Sequence, residues 1–166
     1  MSASSLDRRT LLGLLGGSMA ASLAFAAPVP ANPHAKGRFP VRMSEAAWQK
    51  KLGERRFNIM RKAGTERPYS SPLLKEKRAG LFHCAGCDQP LFDARTKYDS
   101  RTGWPSFWDA RKGAVLYARD TSLFMVRTEE HCSRCGGHLG HLFDDGPKPT
   151  GKRHCINGLA LSFKPA

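Results

Sequence analysis

The sequence predicts a single, mainly β domain of antiparallel strands, preceded by a short helical arm. Its 166 residues match the size of one domain. A composition of 40% hydrophobic and 25% charged residues is typical of a folded soluble protein and excludes a low-complexity tail. From about residue 80 onwards, short apolar segments alternate with Gly, Pro, Asp and Asn. This pattern is typical of strands joined by turns.

The first residues have the pattern of a bacterial export signal. Arg8 and Arg9 precede an uncharged run over residues 10–27, and residues 24–26 form an A-x-A cleavage site. Paired arginines before a weakly hydrophobic run predict a twin-arginine signal peptide over residues 1–26, and therefore periplasmic export of an already folded protein. An N-terminal membrane anchor is the alternative, because the run is at the short limit for a spanning helix.

The mature chain begins with residues 27–43, which are rich in Pro and Ala and are expected to form a flexible segment before the domain at 44–166. A helix is predicted to begin after Ser44, a good N-cap, with Trp48 and Leu52 at helical spacing. Gly53 is expected to split this helix, and Gly64 is expected to end it.

The formal net charge of +13 raises the possibility of a polyanionic partner. The lysines and arginines are spread over a helix and several loops, which favours a solvated basic surface. We therefore expect no nucleic-acid partner and no stable membrane association after export.

Four of the five cysteines form two CxxC pairs, Cys84 with Cys87 and Cys132 with Cys135. Two such pairs supply the four thiolates of a closed tetrahedral zinc site, which is typical of structural zinc. Disulfides, or a thioredoxin-like redox pair, are the alternatives in an oxidising compartment. A protein that folds and binds zinc before export would carry these thiols protected from oxidation. The predicted twin-arginine signal is therefore consistent with the zinc hypothesis.

Cys155 has no such partner, and it is either a buried inert thiol or a reactive one. Arg153 and His154 precede it, and Asn157 follows it. Because nearby cations lower the pKa of a thiol, these neighbours favour a reactive cysteine.

Two further segments could serve such a cysteine. The segment GGHLGHLF supplies His138 and His141, which could deliver a proton, although extra zinc ligation or a structural role in a turn is the alternative. The segment GWPSFW supplies Trp104, whose alternative role is packing in the core or over a turn.

Taken in order, the segments GTERPYSSPL, FHCAGCDQPLF, TKYDSRTGWPSFW and CSRCGGHLGHLFDDGPKPTGKRHCIN resemble the B-type methionine-R-sulfoxide reductases over residues 44–163. The resemblance implies two antiparallel sheets and a zinc site remote from the catalytic centre. It also implies reduction of the R epimer of methionine sulfoxide, protein-bound or free, as a repair of oxidative damage.

The resemblance also implies a role for each site residue. Cys155 matches the nucleophile that attacks the sulfoxide sulfur and becomes a sulfenic acid. His141, with His138, matches the histidines that position and protonate the sulfoxide oxygen. Asn157 matches the asparagine that orders this site, and Trp104 matches the ring that packs on the substrate methyl group.

The chain departs from the family at Thr102, where many members carry a second, resolving cysteine. We therefore expect a one-cysteine cycle in which an external thiol reductant, thioredoxin-like or glutathione/glutaredoxin-like, reduces the sulfenic acid of a monomeric enzyme. Smaller departures are Arg101 in place of a common glycine, His154 in place of an aromatic ring and Gly158 in place of serine. The ring of His154 could alter either substrate fit or thiol acidity.

Two other functions remain open at this point. A zinc-stapled β domain could bind a partner through its basic surface, with Cys155 structural. A thiol peroxidase or glutathione-dependent enzyme could use the same nucleophile, but it would not need Trp104.

Overall fold

A computed structural model describes residues 39–166 of the chain. The predicted signal peptide and residues 27–38 lie outside the described residues. Residues 39–43 contact the domain: the N–H of Val41 donates to the carbonyl of Arg134 at 2.9 Å, and the ring of Phe39 meets His131 edge-on at 5.8 Å. Within residues 39–166, no helix is both long and apolar enough to cross a membrane.

Helix α1 spans Glu45–Lys62 and begins as predicted, with the Ser44 hydroxyl accepting a hydrogen bond from a backbone N–H of the first turn. Gly53 interrupts it with φ 69° and ψ 165°, which confirms the predicted break. The predicted end at Gly64 is wrong by one position, because Ala63 takes the left-handed conformation. Gly64 serves a close approach instead: a Cβ there would lie 2.9 Å from the carbonyl oxygen of Asn58.

The apolar side of α1 belongs to the core. Its buried residues are Trp48, Leu52, Phe57, Ile59 and Met60. The helix packs against the strand at 138–143 and against the turn at 158–160. Burial of these side chains stabilises the helix by tertiary packing, so it is part of the domain.

In residues 39–166, nine strands form the rest of the architecture. They are β1 (Gly80–Cys84), β2 (Pro90–Asp93), β3 (Lys97–Tyr98), β4 (Ser106–Phe107), β5 (Val115–Asp120), β6 (Arg127–Cys132), β7 (His138–Phe143), β8 (Arg153–Ile156) and β9 (Leu161–Pro165). A three-stranded sheet has the order β2-β1-β9, and a six-stranded sheet has the order β3-β4-β8-β7-β6-β5. The paired strands are antiparallel, which confirms the predicted mainly β fold of two antiparallel sheets.

Aromatic rings fill the core. The ring of Phe107 stacks on Phe92 with centroids 4.3 Å apart and meets Phe82 at 4.9 Å, and these three side chains are fully buried. Phe107 belongs to β4 and Ile156, also fully buried, belongs to β8. The strand that carries Cys155 is therefore anchored in the close-packed interior.

Candidate active site and metal centre

Cys155 lies on β8, between β4 and β7. The antiparallel register places Ser106 opposite it on one side and His141 opposite it on the other. Directly opposed residues in such pairs project from the same face of the sheet. The thiol and the imidazole predicted to work together are thus brought side by side by strand pairing.

A pocket of about 130 Å³ opens at this point. Its lining residues are Thr65, Trp104, Arg127, Gly140, His141, Phe143, Cys155 and Asn157. Four of the five residues predicted for catalysis and substrate binding share this one cavity: Cys155, His141, Asn157 and Trp104. The fifth, His138, is not among the lining residues.

His141 is held by a carboxylate. Its Nε2 lies 2.7 Å from Oδ2 of Asp120, and Nη2 of Arg127 donates to the same oxygen at 2.6 Å. Burial opposes ionisation of Asp120, but hydrogen bonds from Ser122 and His141 and the charge of Arg127 outweigh it, so its pKa lies well below the usual range. Burial lowers the pKa of His141, and the Asp120 hydrogen bond offsets this only in part. The imidazole is therefore mostly neutral at pH 7.

His138 lies behind His141. Its ring meets that of His141 edge-on with centroids 5.5 Å apart, and its Nδ1 lies 2.8 Å from Oε1 of Glu129. The side chain is 1% exposed. These contacts allow His138 to orient the ring of His141. His141 lines the pocket, and His138 does not.

Glu66 directly follows Thr65, which lines the pocket, and its backbone connects two other lining residues, Asn157 and Trp104. Its N–H donates to Oδ1 of Asn157 at 3.0 Å, and its carbonyl accepts from Nε1 of Trp104 at 3.1 Å. Its carboxylate accepts from the N–H groups of Gly158 and Leu159, at the start of the turn after β8. Burial raises the pKa of Glu66, although these N–H groups oppose the shift. One residue thus fixes the positions of Asn157 and Trp104.

The electrostatic environment of Cys155 differs from the sequence-based expectation. The nearby cations were expected to lower the pKa of the thiol. Burial instead raises it, and the opposing charge of Arg153 does not compensate. The guanidinium of Arg153 is partly engaged elsewhere, because it donates two hydrogen bonds, at 2.7 and 2.9 Å, to the carboxylate of Asp145. The prediction that neighbouring cations lower the pKa of the Cys155 thiol is therefore wrong for the free protein.

Thr102 occupies the position nearest to the thiol on the loop before β4. Its Oγ1 lies 4.0 Å from Sγ of Cys155. The Ser100 hydroxyl lies 2.8 Å from that of Thr102 and 2.7 Å from that of Ser106. A chain of three hydroxyl groups therefore lines the side of the thiol where a second cysteine would have to lie.

His154 points to the opposite face of the sheet. Its Nδ1 lies 2.6 Å from Oε1 of Glu130, both side chains are buried, and its ring meets Phe92 edge-on at 5.6 Å. It does not line the pocket. The ring of His154 was expected to alter either substrate fit or thiol acidity. This placement excludes a direct effect on substrate fit.

The other two departures also have structural consequences. Arg101 adopts φ 58° in an exposed turn, a conformation that suits glycine better. Gly158 is packed so closely that a Cβ would lie 1.9 Å from Oγ of Ser71. A serine at position 158 would require Ser71 to move.

The four paired cysteines form one cluster. The Sγ atoms of Cys84, Cys87, Cys132 and Cys135 all lie within 4.8 Å of one another. Those of Cys84 and Cys135 are 3.6 Å apart, and those of Cys87 and Cys132 are 3.5 Å apart. Four thiolates around one ion at about 2.3 Å would lie about 3.8 Å apart in a tetrahedron. The cluster therefore fits a tetrahedral metal, and none of its members lines the pocket.

Sequence reasoning missed Glu66, Asp120 and Arg127. Glu66 lies within GTERPYSSPL, a segment that carried the resemblance but was given no role. Asp120 and Arg127 bracket the apolar turn TSLFMV, and charged residues at both ends of an apolar turn were the available signal. The contact of Asp120 with His141, and that of Arg127 with Asp120, depends on strand pairing that the sequence does not display.

Known protein families and relatives match most of this chain. Residues 52–165 match the SelR domain family model. A protein named peptide methionine sulfoxide reductase MsrB from Methanosarcina barkeri is 51% identical over 125 residues, covering 75% of this chain and 88% of the relative. A protein of the same name from Agrobacterium fabrum is 49% identical over 126 residues, covering 75% of this chain and 93% of the relative.

A eukaryotic protein is equally similar. The mitochondrial methionine-R-sulfoxide reductase B2 of Rattus norvegicus is 50% identical over 132 residues, covering 75% of this chain and 76% of the relative. Among solved structures, the Mis18 'Yippee-like' domain aligns with a TM-score of 0.44 at 18% identity, covering 54% of this chain and 98% of that chain. That likeness is too weak to carry any conclusion.

Proposed function

This chain belongs to the SelR-domain family of MsrB methionine sulfoxide reductases, and we propose on that basis that it reduces the R epimer of methionine sulfoxide with Cys155 as its nucleophile. Reduction of methionine sulfoxide is the activity of the family. The stereospecificity, the sulfenic acid intermediate and the reductant are the proposed refinements. The arrangement that supports them is the direct opposition of Cys155 and His141 in a pocket shared with Trp104.

The chemical step reduces the sulfoxide and oxidises Cys155. The thiolate of Cys155 attacks the sulfoxide sulfur and forms an S–S bond to it, while the S–O bond of the substrate breaks and the protonated oxygen leaves as water. Water then attacks the cysteine sulfur, the S–S bond breaks, and methionine is released with Cys155 as a sulfenic acid. The substrate sulfur gains two electrons and becomes the thioether of methionine, and the cysteine sulfur loses two. A proton delivered to the oxygen stabilises the developing charge in the transition state.

The residues of the pocket divide these tasks. The neutral imidazole of His141, opposite the thiol, takes up the proton of Cys155 and passes it to the sulfoxide oxygen, and Asp120 and His138 hold its ring in place. The indole of Trp104 packs on the methyl group of the substrate. Asn157 orders the site through its hydrogen bonds to Glu66 and Leu139.

The reductant is proposed to come from outside the chain. All four cysteines other than Cys155 belong to the metal cluster. Two equivalents of an external thiol, from a thioredoxin-like or glutathione/glutaredoxin-like partner, convert the sulfenic acid to the free thiol, water and a disulfide. The substrates are oxidised proteins or peptides, and the enzyme acts as a monomer.

Zinc is the proposed occupant of the cysteine cluster. A tetrahedral set of four thiolates suits zinc, and with no position left for substrate the role is structural. The two cysteine pairs begin at Cys84 and Cys132, the last residues of β1 and β6, so a bound ion would join the two sheets. Removal of the ion by a chelator is expected to lower the midpoint of thermal unfolding, with one equivalent of zinc released. Release without any change in the unfolding midpoint would contradict a structural role.

The proposed location is the periplasm, after export by the twin-arginine route. It rests on residues 1–26, which lie outside the described residues. Replacement of Arg8 and Arg9 by lysine should retain the protein in the cytoplasm, as measured by cell fractionation. An unchanged periplasmic fraction would contradict this route.

The proposed activity is tested with the separated R and S epimers of N-acetyl-methionine sulfoxide and dithiothreitol. Wild-type protein should form N-acetyl-methionine from the R epimer only, and Cys155→Ser should form none. Turnover of both epimers would contradict the stereospecificity. Equal turnover by Cys155→Ser would contradict the nucleophile, and no turnover by the metal-loaded wild type would contradict the activity.

A further inference from the structure

The connection between β5 and β6 presents an exposed apolar surface. Phe124, Met125 and Val126, here called the apolar tip, are 108%, 50% and 68% exposed. Single exposed apolar side chains are common on protein surfaces, whereas contiguous apolar patches are typical of interaction sites. The apolar tip is therefore a candidate surface for binding another molecule.

The backbone at the apolar tip is unfavourable for its sequence. Phe124 has φ 57°, in the left-handed region that a bulky residue rarely occupies. Glycine would adopt this conformation without strain. Because the ring is fully exposed, burial within this chain does not compensate for the strain. The presence of a large aromatic side chain here thus has no explanation in the stability of the domain.

The apolar tip is continuous with the pocket. The chain enters the connection at Asp120, which binds His141, and leaves it at Arg127, which lines the pocket. Within the connection, Ser122 donates its N–H to Asp120 at 2.8 Å and accepts from Arg127 at 3.2 Å. Both ends of the connection are therefore fixed to the residues around the reacting thiol.

The size of the pocket defines what remains outside it. A cavity of about 130 Å³ has room for one side chain and not for the residues on either side of it. In a polypeptide substrate, those flanking residues must lie on the rim, and the apolar tip directly precedes Arg127, a residue that lines the pocket.

We propose that the apolar tip binds apolar residues next to an oxidised methionine in an extended, unfolded polypeptide segment. This proposal rests on the proposed reductase activity. Methionine is common in protein cores, and its oxidation places a polar group there and disrupts packing, which exposes the apolar neighbours of the damaged residue. The apolar tip thus selects substrates in which oxidation has opened a core.

The test compares three substrates with the full-length, metal-loaded protein under excess dithiothreitol. They are N-acetyl-methionine-R-sulfoxide, a peptide with Val and Leu flanking the R-sulfoxide, and a matched peptide with Gly and Ser in those positions. Phe124→Gly removes the ring and relieves the strain. Leu116→Ser is the control, since Leu116 is also exposed but lies four residues before Asp120, about 13 Å along β5.

Wild-type protein should have the higher kcat/KM for the apolar-flanked peptide. Phe124→Gly should lower that value about tenfold, the effect expected for loss of one partly buried aromatic contact. It should leave the small substrate and the Gly/Ser peptide unchanged, and Leu116→Ser should match wild type for all three.

Three results would overturn the proposal. An unchanged preference in Phe124→Gly would show that the apolar tip binds no flanking residue. An equal loss for the small substrate would show that Phe124 affects the pocket itself. A dimer that dissociates in Phe124→Gly would assign the surface to a second copy of the chain. Turnover of the small substrate by wild type separately tests the reductase activity, and its absence would remove both proposals.

Discussion

The N–H of Glu66 donates a 3.0 Å hydrogen bond to Oδ1 of Asn157, a residue 91 positions away in the chain. The carboxylate of Glu66 caps the turn that begins at Asn157, whose own side chain makes no capping bond. Asn157 is thereby free to donate to the carbonyl of Leu139 at 3.1 Å. The order of the pocket thus depends on a residue outside the strands that form it.

We predict that Glu66→Ala will impair both stability and turnover. It leaves the buried N–H of Gly158 and the partly buried N–H of Leu159 without an acceptor, which should cost about 1–3 kcal/mol in the free energy of unfolding. The substitution keeps the backbone groups that bind Asn157 and Trp104, but the turn after Asn157 loses the carboxylate that holds it, so Asn157 is less well fixed and kcat should also fall. Urea unfolding and steady-state kinetics measure the two effects. Arg67→Ala, at the exposed neighbouring position, is the control, and a Glu66→Ala variant indistinguishable from it would contradict this role.

A second cysteine at position 102 should convert the enzyme to a two-cysteine cycle. Thr102 Oγ1 lies 4.0 Å from Cys155 Sγ, so a small rotation brings two sulfurs to bonding distance. After turnover without reductant, Thr102→Cys should contain a disulfide between position 102 and Cys155, detected by peptide mass mapping. Wild type and Thr102→Ser should contain no intramolecular disulfide. A disulfide that joins Cys155 to one of the four clustered cysteines would contradict the one-cysteine cycle.

The reactivity of Cys155 should depend on pH and on Arg153. Burial raises the pKa of the thiol above its ordinary value of about 8.5, so alkylation by iodoacetamide should continue to accelerate above that pH. The charge of Arg153 opposes this shift, so Arg153→Met should move the alkylation profile to still higher pH and slow the reaction at pH 7. Arg153→Lys, which keeps the charge, should lie nearer to wild type. A profile that moves to lower pH in Arg153→Met would contradict this electrostatic role.

The buried Glu130–His154 pair should behave as one unit. Replacement of one partner, by Glu130→Val or His154→Phe, leaves the other polar group buried alone and should destabilise the protein by about 3–5 kcal/mol. The double replacement should recover most of that loss, because two apolar side chains need no partner. Urea unfolding of the four proteins in a double-mutant cycle measures the coupling. Additive losses would show that the two side chains stabilise the protein independently.

Short-range features of the fold were predictable from the sequence. The break at Gly53 and the first strand at Gly80 follow from local chemistry, and the clustering of the four paired cysteines follows from their spacing. The grouping of Cys155 with His141 in one pocket followed from resemblance to a family.

Other features depend on burial and long-range contacts, which local patterns do not encode. The thiol pKa was misjudged because the sequence shows which cations lie nearby but not how far the sulfur is desolvated. The roles of Glu66 and Asp120 depend on contacts made through strand pairing and loop packing. Ala63, and not Gly64, adopts the left-handed conformation, and the glycine instead allows a close backbone approach, which local sequence does not display.

The central claim is that the sulfoxide oxidises Cys155 to a sulfenic acid in a one-cysteine cycle. It is tested most directly by a single turnover of the R epimer without reductant, followed by dimedone labelling and peptide mass mapping. The account predicts about one equivalent of methionine per protein and a dimedone adduct on Cys155. Methionine formation without an adduct on Cys155, or with the adduct on another residue, would contradict it.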